Sequence, residues 1–196
     1  MAAGLARLRP VAERDLPLLE RLPVDPEMGG PLAWYGYGDA GAIRRRFQQD
    51  GFLTEDYGRL MVDTPAGGGA ETGGRDAGGR DAGGPDAGGL ETVGLVSWNA
   101  VTHGPPAAAR CWNVGIVLLP EARNRGIGTA AQRALAAYLF EVTPVMRLEA
   151  TTLVGNVAER RALEKAGFTA EGVLRSATFV GGAWRDVAIY SRLRTD

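Results

Sequence analysis

Apolar residues recur along this chain with two periods, and the places where the period changes predict its elements. Residues 5–11 alternate as a strand does, whereas 13–22 carry Leu16, Leu19 and Leu22 at helical spacing. A second short helix is predicted at 40–50, apolar strands at 60–63 and 93–101, and another strand at 111–119. Residues 128–142 read as a longer helix with Ala131, Leu135, Ala136 and Leu139 along one face. A strand at 145–152 follows, then a helix at 157–166 that Gly167 ends as a C-cap. The tail, 168–193, reads as two strands joined by a turn at Gly181-Gly182. Helices interleaved with strands at this density predict an α/β or α+β domain in which helices pack a mixed sheet.

The pattern stops between 65 and 89, where Gly-Gly-Arg-Asp-Ala, repeated with one Arg replaced by Pro, carries no large apolar side chain. Such a segment has nothing to bury against the entropy of ordering, so a disordered Gly-rich insertion between two strands is expected. The whole chain, 196 residues and 45% hydrophobic, suits a single domain over 1–196.

Charge and rare residues narrow the function. With 22 basic and 23 acidic residues, net −1, no global field draws nucleic acid or an anionic membrane. Cys111 is the sole cysteine and His103 the sole histidine, which excludes an intrachain disulfide and a Cys/His zinc cage; no metal is expected. Thiol–imidazole chemistry would need those two residues to meet, and His103, in Thr-His-Gly-Pro-Pro, reads as a loop residue. No run approaches bilayer length and the first residues lack a signal-peptide apolar stretch, so a cytoplasmic address is expected.

The stretch richest in chemistry is 114–130, a strand ending at Pro120 and then Arg123-Asn-Arg125-Gly126-Ile127-Gly128-Thr129, a glycine loop opening a helix. Glycines let backbone N–H groups converge, and a helix N-terminus adds unpaired donors and a favourable dipole; Arg123 and Arg125 place mobile positive charge at the rim, suiting a pyrophosphate. A P-loop is excluded by the missing Lys-Ser/Thr and a dinucleotide fingerprint by the missing third glycine. On its own the loop could equally be a tight strand-to-helix turn.

Context decides between these. Arg123-x-x-Gly126-x-Gly128 after an apolar strand resembles the acyl-CoA signature of the GNAT superfamily of N-acetyltransferases. Asn156 followed by a helix ending Glu164-Lys165-Ala-Gly167-Phe168 resembles that superfamily's second motif, and 182–193 is similar to the terminal hairpin of its ribosomal-protein alanine acetyltransferase-like (RimJ/RimL-like) branch. The resemblance implies a mixed, mostly antiparallel sheet of about seven strands, splayed into a V between the fourth and fifth and packed by about four helices. It further implies acetyl-CoA as co-substrate, its pantetheine paired with backbone at Ile116, Val117 and Leu118 and its pyrophosphate on amides from Arg123 to Thr129, including Gly126, Ile127 and Gly128. Asn156 would lie beside the pantetheine, a role compatible with capping the helix after it.

The implied reaction is acetyl transfer to a primary amine, of a small molecule or a protein N-terminus, by direct attack in a ternary complex. A CoA-binding sensor without turnover and transfer of a larger acyl group such as succinyl are the alternatives, and a homodimer is allowed for. Glu149, on the strand facing the acceptor, is the first candidate base and Asp186 the second; Glu149 could instead only pair with a neighbouring Arg. Strand alternation sets Arg147, Glu149 and Thr151 on one side and Leu148, Ala150 and Thr152 on the other. The helix after Asn156 holds no tyrosine to protonate the leaving thiolate, and Glu159 stands where Ser is common. Trp34 and Tyr35, in a Gly-spaced aromatic cluster, either wall the acceptor pocket or pack the core.

Overall fold

The computed structural model describes residues 5–30, 32, 34–66, 89–105 and 107–196. Most of the Gly-rich insertion lies outside them. At its margins the Ala66 N–H donates to the Gly89 carbonyl at 2.6 Å, so the two flanking strands close a hairpin.

Among the described residues seven strands form one sheet in the order β1-β2-β3-β4-β5-β7-β6. They are β1 (Arg7–Pro10), β2 (Tyr57–Pro65), β3 (Leu90–Thr102), β4 (Arg110–Leu118), β5 (Arg147–Leu153), β6 (Thr169–Val180) and β7 (Ala183–Leu193). Five α-helices among the described residues accompany them: α1 (Leu16–Arg21), α2 (Pro26–Gly29), α3 (Ala40–Asp50), α4 (Ile127–Val142) and α5 (Val157–Lys165). Every neighbouring pair is antiparallel except β4 and β5, which run parallel. That parallel seam holds only Trp112–Val114 against Leu148–Ala150. Beyond it both strands continue without pairing to each other, which is the V expected between the fourth and fifth strands.

Alternation along the strands sends side chains to two separate cores. Leu60 and Val62 of β2, Val96 of β3, Trp112 and Val114 of β4, and Leu148 and Ala150 of β5 pack with Leu135 and Leu139 of α4 and Leu163 of α5. Met61 and Leu95 face the other way and meet Leu16 and Leu19 of α1, Phe52, and Ile43 and Phe47 of the α3 side. Two parts of the helix expected over 13–22 differ from the plan. Glu13–Asp15 is a 3-10 turn, and the α-helix starts only at Leu16 with Pro17 in its first turn, where a missing N–H does no harm. Arg9 draws this corner together, donating to Asp15 at 2.6 Å, Asp63 at 2.8 Å and Thr92 at 2.8 Å.

Helix α5 ends as its sequence predicts. Gly167 sits at φ +90°, its N–H donates to Glu164 O at 3.1 Å, and Phe168 N–H donates to Leu163 O at 3.0 Å. These are the two bonds of a Schellman motif, and Leu163 and Phe168, both buried, supply its apolar contact.

Candidate active site

The mouth of the V is built by the chain that leaves β4. Pro120 starts a 3-10 turn (Pro120–Ala122), Asn124 and Gly126 both take left-handed backbone (φ +61° and +78°), and α4 begins at Ile127. Its first helical bond is Ala130 N–H to Gly126 O at 3.1 Å, which leaves the amides of Ile127, Gly128 and Thr129 without a helical acceptor. No acidic side chain stands in that first turn and no side chain caps it. A Cβ on Gly128 would lie 3.5 Å from Leu118 Cδ1, so this helix end is close against the end of β4.

The backbone of β4 divides its bonds by parity. Leu119 N–H donates to Val93 O at 2.9 Å, in register with Val117 opposite Leu95. Odd residues therefore face β3, and the peptide groups of Ile116 and Leu118 face the open gap. Val117, expected beside them as a pantetheine partner, instead turns its backbone to β3 and its side chain to the α1 core. Arg123 also departs from expectation. Its guanidinium is not mobile charge at the rim: Nε donates to Leu118 O at 3.0 Å and Nη2 donates to the Met28 carbonyl, tying α2 to the end of β4. Arg125 keeps a looser contact, 3.9 Å from Glu91.

Across the gap, Asn156 caps α5, its Oδ1 accepting from Glu159 N–H at 3.2 Å. Behind it Gln132 Nε2 of α4 donates to Glu159 Oε1 at 2.8 Å, while the buried Gln132 Oε1 has no partner. Burial pushes the Glu159 carboxyl up to about 7, against a smaller opposing effect of the Gln132 bond.

A cavity of about 480 Å³ opens beside Asn156, lined by Leu32, Leu153, Val154, Gly155, Val180, Gly181, Trp184, Arg185 and Asp186. The aromatic loop thus reaches it through Leu32, not through Trp34 or Tyr35. Trp34 stacks edge-on to Tyr37 at 5.3 Å, and Tyr35 is exposed. Asp186 lines the cavity but its Oδ1 accepts from Ser176 N–H at 2.8 Å, which shapes the irregular stretch of β6 between Leu174 and Thr178.

At the closed end of the V the strands assemble a buried polar cluster. Glu149 is 3% exposed; its Oε1 accepts from Arg147 Nε at 2.7 Å and contacts His103 Nε2 at 2.6 Å. Arg147 also pairs with Glu171, which accepts from Ser191 Oγ at 2.6 Å. The Arg147 bond, then the Ser191 bond, hold the Glu171 carboxyl down at about 2. His103, read from sequence as a plain loop residue, is therefore part of this cluster. So is Cys111: an imidazole nitrogen of His103, the Cys111 sulfur and a Glu149 carboxylate oxygen all lie within 4.8 Å of one another. Burial and the neighbouring Glu149 push the Cys111 thiol up to about 11, the opposite of what a thiolate nucleophile needs.

A splayed mixed sheet with a glycine-flanked helix N-terminus at the mouth of the splay defines an acetyltransferase-like class of fold. A model of the Acetyltransferase (GNAT) domain matches residues 6–169, and the chain belongs to that family. It is similar to "Probable N-acetyltransferase YjcK" of Bacillus subtilis (strain 168), 34% identical over 83 residues, 42% of this chain. That match spans 46% of the relative, about half its length. Among solved structures it resembles a spermidine N-acetyltransferase from Vibrio cholerae in complex with CoA and spermine (TM-score 0.73, 17% identity, covering 97% of this chain and 96% of that one). It also resembles the Salmonella typhimurium acetyl transferase that modifies the N-terminal serine of ribosomal protein L7/L12 (TM-score 0.69, 18% identity, 98% and 96% covered). These likenesses establish the fold. Among the described residues no helix is long and apolar enough to cross a membrane.

Proposed function

We propose that this protein transfers an acetyl group from acetyl-CoA to a primary amine, by direct attack in a ternary complex. One observation carries the reading: three amides at the start of α4 without a helical acceptor stand at the mouth of a gap that the peptide groups of Ile116 and Leu118 face, only the Leu118 carbonyl being held, by Arg123 Nε at 3.0 Å. The diphosphate would rest on Ile127, Gly128 and Thr129, with Gly126 giving backbone access and Arg125 adding charge. Pantetheine would then lie along β4 as an extra strand, with Asn156 opposite.

Direction follows from this placement. A diphosphate held at the mouth sends the pantetheine inward past Leu118 and Ile116, so the thioester arrives near the closed seam at Val114 and Ala150. The acceptor comes from the side of the cavity beside Trp184 and Asp186, with the loop of Trp34 and Tyr35 as its outer wall. Attack needs a neutral amine, and an alkylamine near pKa ~10 is mostly protonated at neutral pH, a deficit of about 4 kcal/mol for a base to offset. Glu149 is the carboxylate at the seam. The acceptor is a small-molecule amine or a protein N-terminus, the two kinds on which the similar solved enzymes act, and a cytoplasmic setting is compatible with such a donor.

The test pairs calorimetry of acetyl-CoA binding with thiol release over a panel of polyamines, small primary amines and peptides bearing free N-termini. Binding with amine-dependent release is expected. Binding without release from any member would turn the reading toward a CoA sensor, and absence of binding would end it.

A further inference from the structure

The cluster at the closed seam contains an exposed imidazole that neither the fold nor the CoA cleft requires. The His103 side chain is 54% exposed, whereas that of Glu149 is 4% exposed and shut beneath it. A carboxylate so enclosed does not meet an incoming amine, but the imidazole does. His103 Nε2 lies 2.6 Å from Glu149 Oε1, and the tautomer in which Nε2–H donates to that oxygen has its lone pair on Nδ1. Resting on the acetyltransferase reading above, we propose that His103 Nδ1 is the base that takes the proton from the acceptor amine, with Glu149 as its positioning partner.

Placement supports this. His103 follows β3 directly and its N–H donates to Ala109 O at 3.2 Å, so the β3–β4 hairpin turn holds it beside Cys111 on β4. Glu149 is in register with Asn113, one residue before the last pair of the seam, where a thioester running inward along β4 would stop. Glu149, Thr151 and Leu153 share one sheet face, and Leu153 lines the cavity, so an acceptor crossing from the cavity travels along the face that holds the imidazole.

Groups on three strands face His103. Glu149 and Arg147 face it from β5, Cys111 from β4 and Glu171 from β6. Two carboxylates and one guanidinium thus surround the imidazole. The spacing of His103, Cys111 and Glu149 would also admit a thiophilic cation, but Arg147 Nε and His103 Nε2 already occupy Glu149 Oε1, and the guanidinium opposes a second positive charge.

The step balances. The amine nitrogen gives one proton to His103 Nδ1, its lone pair forms the N–C bond at the thioester carbonyl, and the C–S bond breaks with its electron pair on sulfur. The imidazolium proton then passes to the thiolate or to solvent, yielding amide and free thiol.

The experiment measures kcat/KM against pH for the whole chain with an amine from the panel that supports turnover, alongside CoA affinity. His103→Gln should lower kcat/KM at least about 100-fold at neutral pH, remove the acidic limb of the profile and leave CoA affinity unchanged. His103→Ala should regain rate on addition of free imidazole. Glu149→Gln should keep CoA affinity and displace the acidic limb; if it fails to fold, the His103 variants, altered at a half-exposed turn, carry the test. An unchanged pH profile in His103→Gln, with the parent turning over normally, overturns the base assignment and leaves the acetyltransferase reading standing. Loss of parental activity on dialysis against a chelator overturns it in favour of a cation on the same three side chains. A parent that turns over no amine fails the underlying reading instead.

Discussion

Replacing Gly126 by Asn and, separately, by Asp separates shape from charge at the mouth of the cleft. Gly126 takes φ +78°, and a Cβ there would lie 3.4 Å from Leu5 Cδ2, so a short side chain fits. Asn and Asp are the non-glycine residues best tolerated in left-handed backbone, and they have nearly the same outline. Only the charge differs, and it would sit beside the Ile127 amide where the diphosphate is placed. For a carboxylate about 6 Å from each of two phosphate charges, with an effective dielectric of about 40, Coulomb repulsion amounts to about 3 kcal/mol, or about 100-fold in affinity. Helix α4 itself gains from an acid at its N-terminus, so Gly126→Asp should melt no lower than Gly126→Asn. Calorimetry with CoA at low salt measures the gap, and added salt should narrow it. Equal affinities for the two variants would mean that no diphosphate approaches this helix end.

Two further outcomes test the packing around the site. A Cβ at Gly58 would fall 2.0 Å from Cζ2 of the buried Trp98, so Gly58→Ala should destabilise by about 3 kcal/mol, seen as a lower melting temperature; an unchanged one would refute the close approach of β2 to that ring. Glu159→Gln should alter the pH dependence of stability. With the folded carboxyl raised from 4.5 to about 7, both states hold the proton below 4.5, the unfolded chain alone releases it as pH rises, and the loss is complete above 7. That loss is about 3 kcal/mol, so in urea unfolding the variant should match the parent at acid pH and exceed it above neutrality. An equal difference at both pH values would refute a buried, protonated Glu159.

What the sequence made legible was whatever depends on near neighbours. Helix α3 spans the predicted 40–50, α4 begins one residue before the predicted start, and the Leu163 to Phe168 stop of α5 follows from Gly167. The glycine loop that opens α4 was legible because its residues are contiguous, from Arg123 to Thr129. Side-chain destinations were harder to read. Arg123 carries a charge that suits phosphate, yet two carbonyls, one of them Met28 in a helix that the apolar pattern did not announce, hold it inward. Val117 and Ile116 look alike as letters, and only the register with β3 decides which backbone faces the gap. The seam cluster was the least accessible, because 46 residues separate His103 from Glu149 and strand order alone brings them to 2.6 Å. The one available signal was rarity: a single histidine and a single cysteine in the chain.

The brevity of the β4–β5 seam leaves the sheet with four rims instead of two. Open rims ordinarily invite intermolecular strand pairing, and proteins blunt them with charges, prolines or bulges. The inner pair here faces itself across the splay beyond Val114 and Ala150, so one extended arm laid along β4 would cover it. A molecule that fills the splay would complete hydrogen-bonding rows the polypeptide leaves unfinished, so occupancy should tighten the two half-sheets against each other as well as position the reactants.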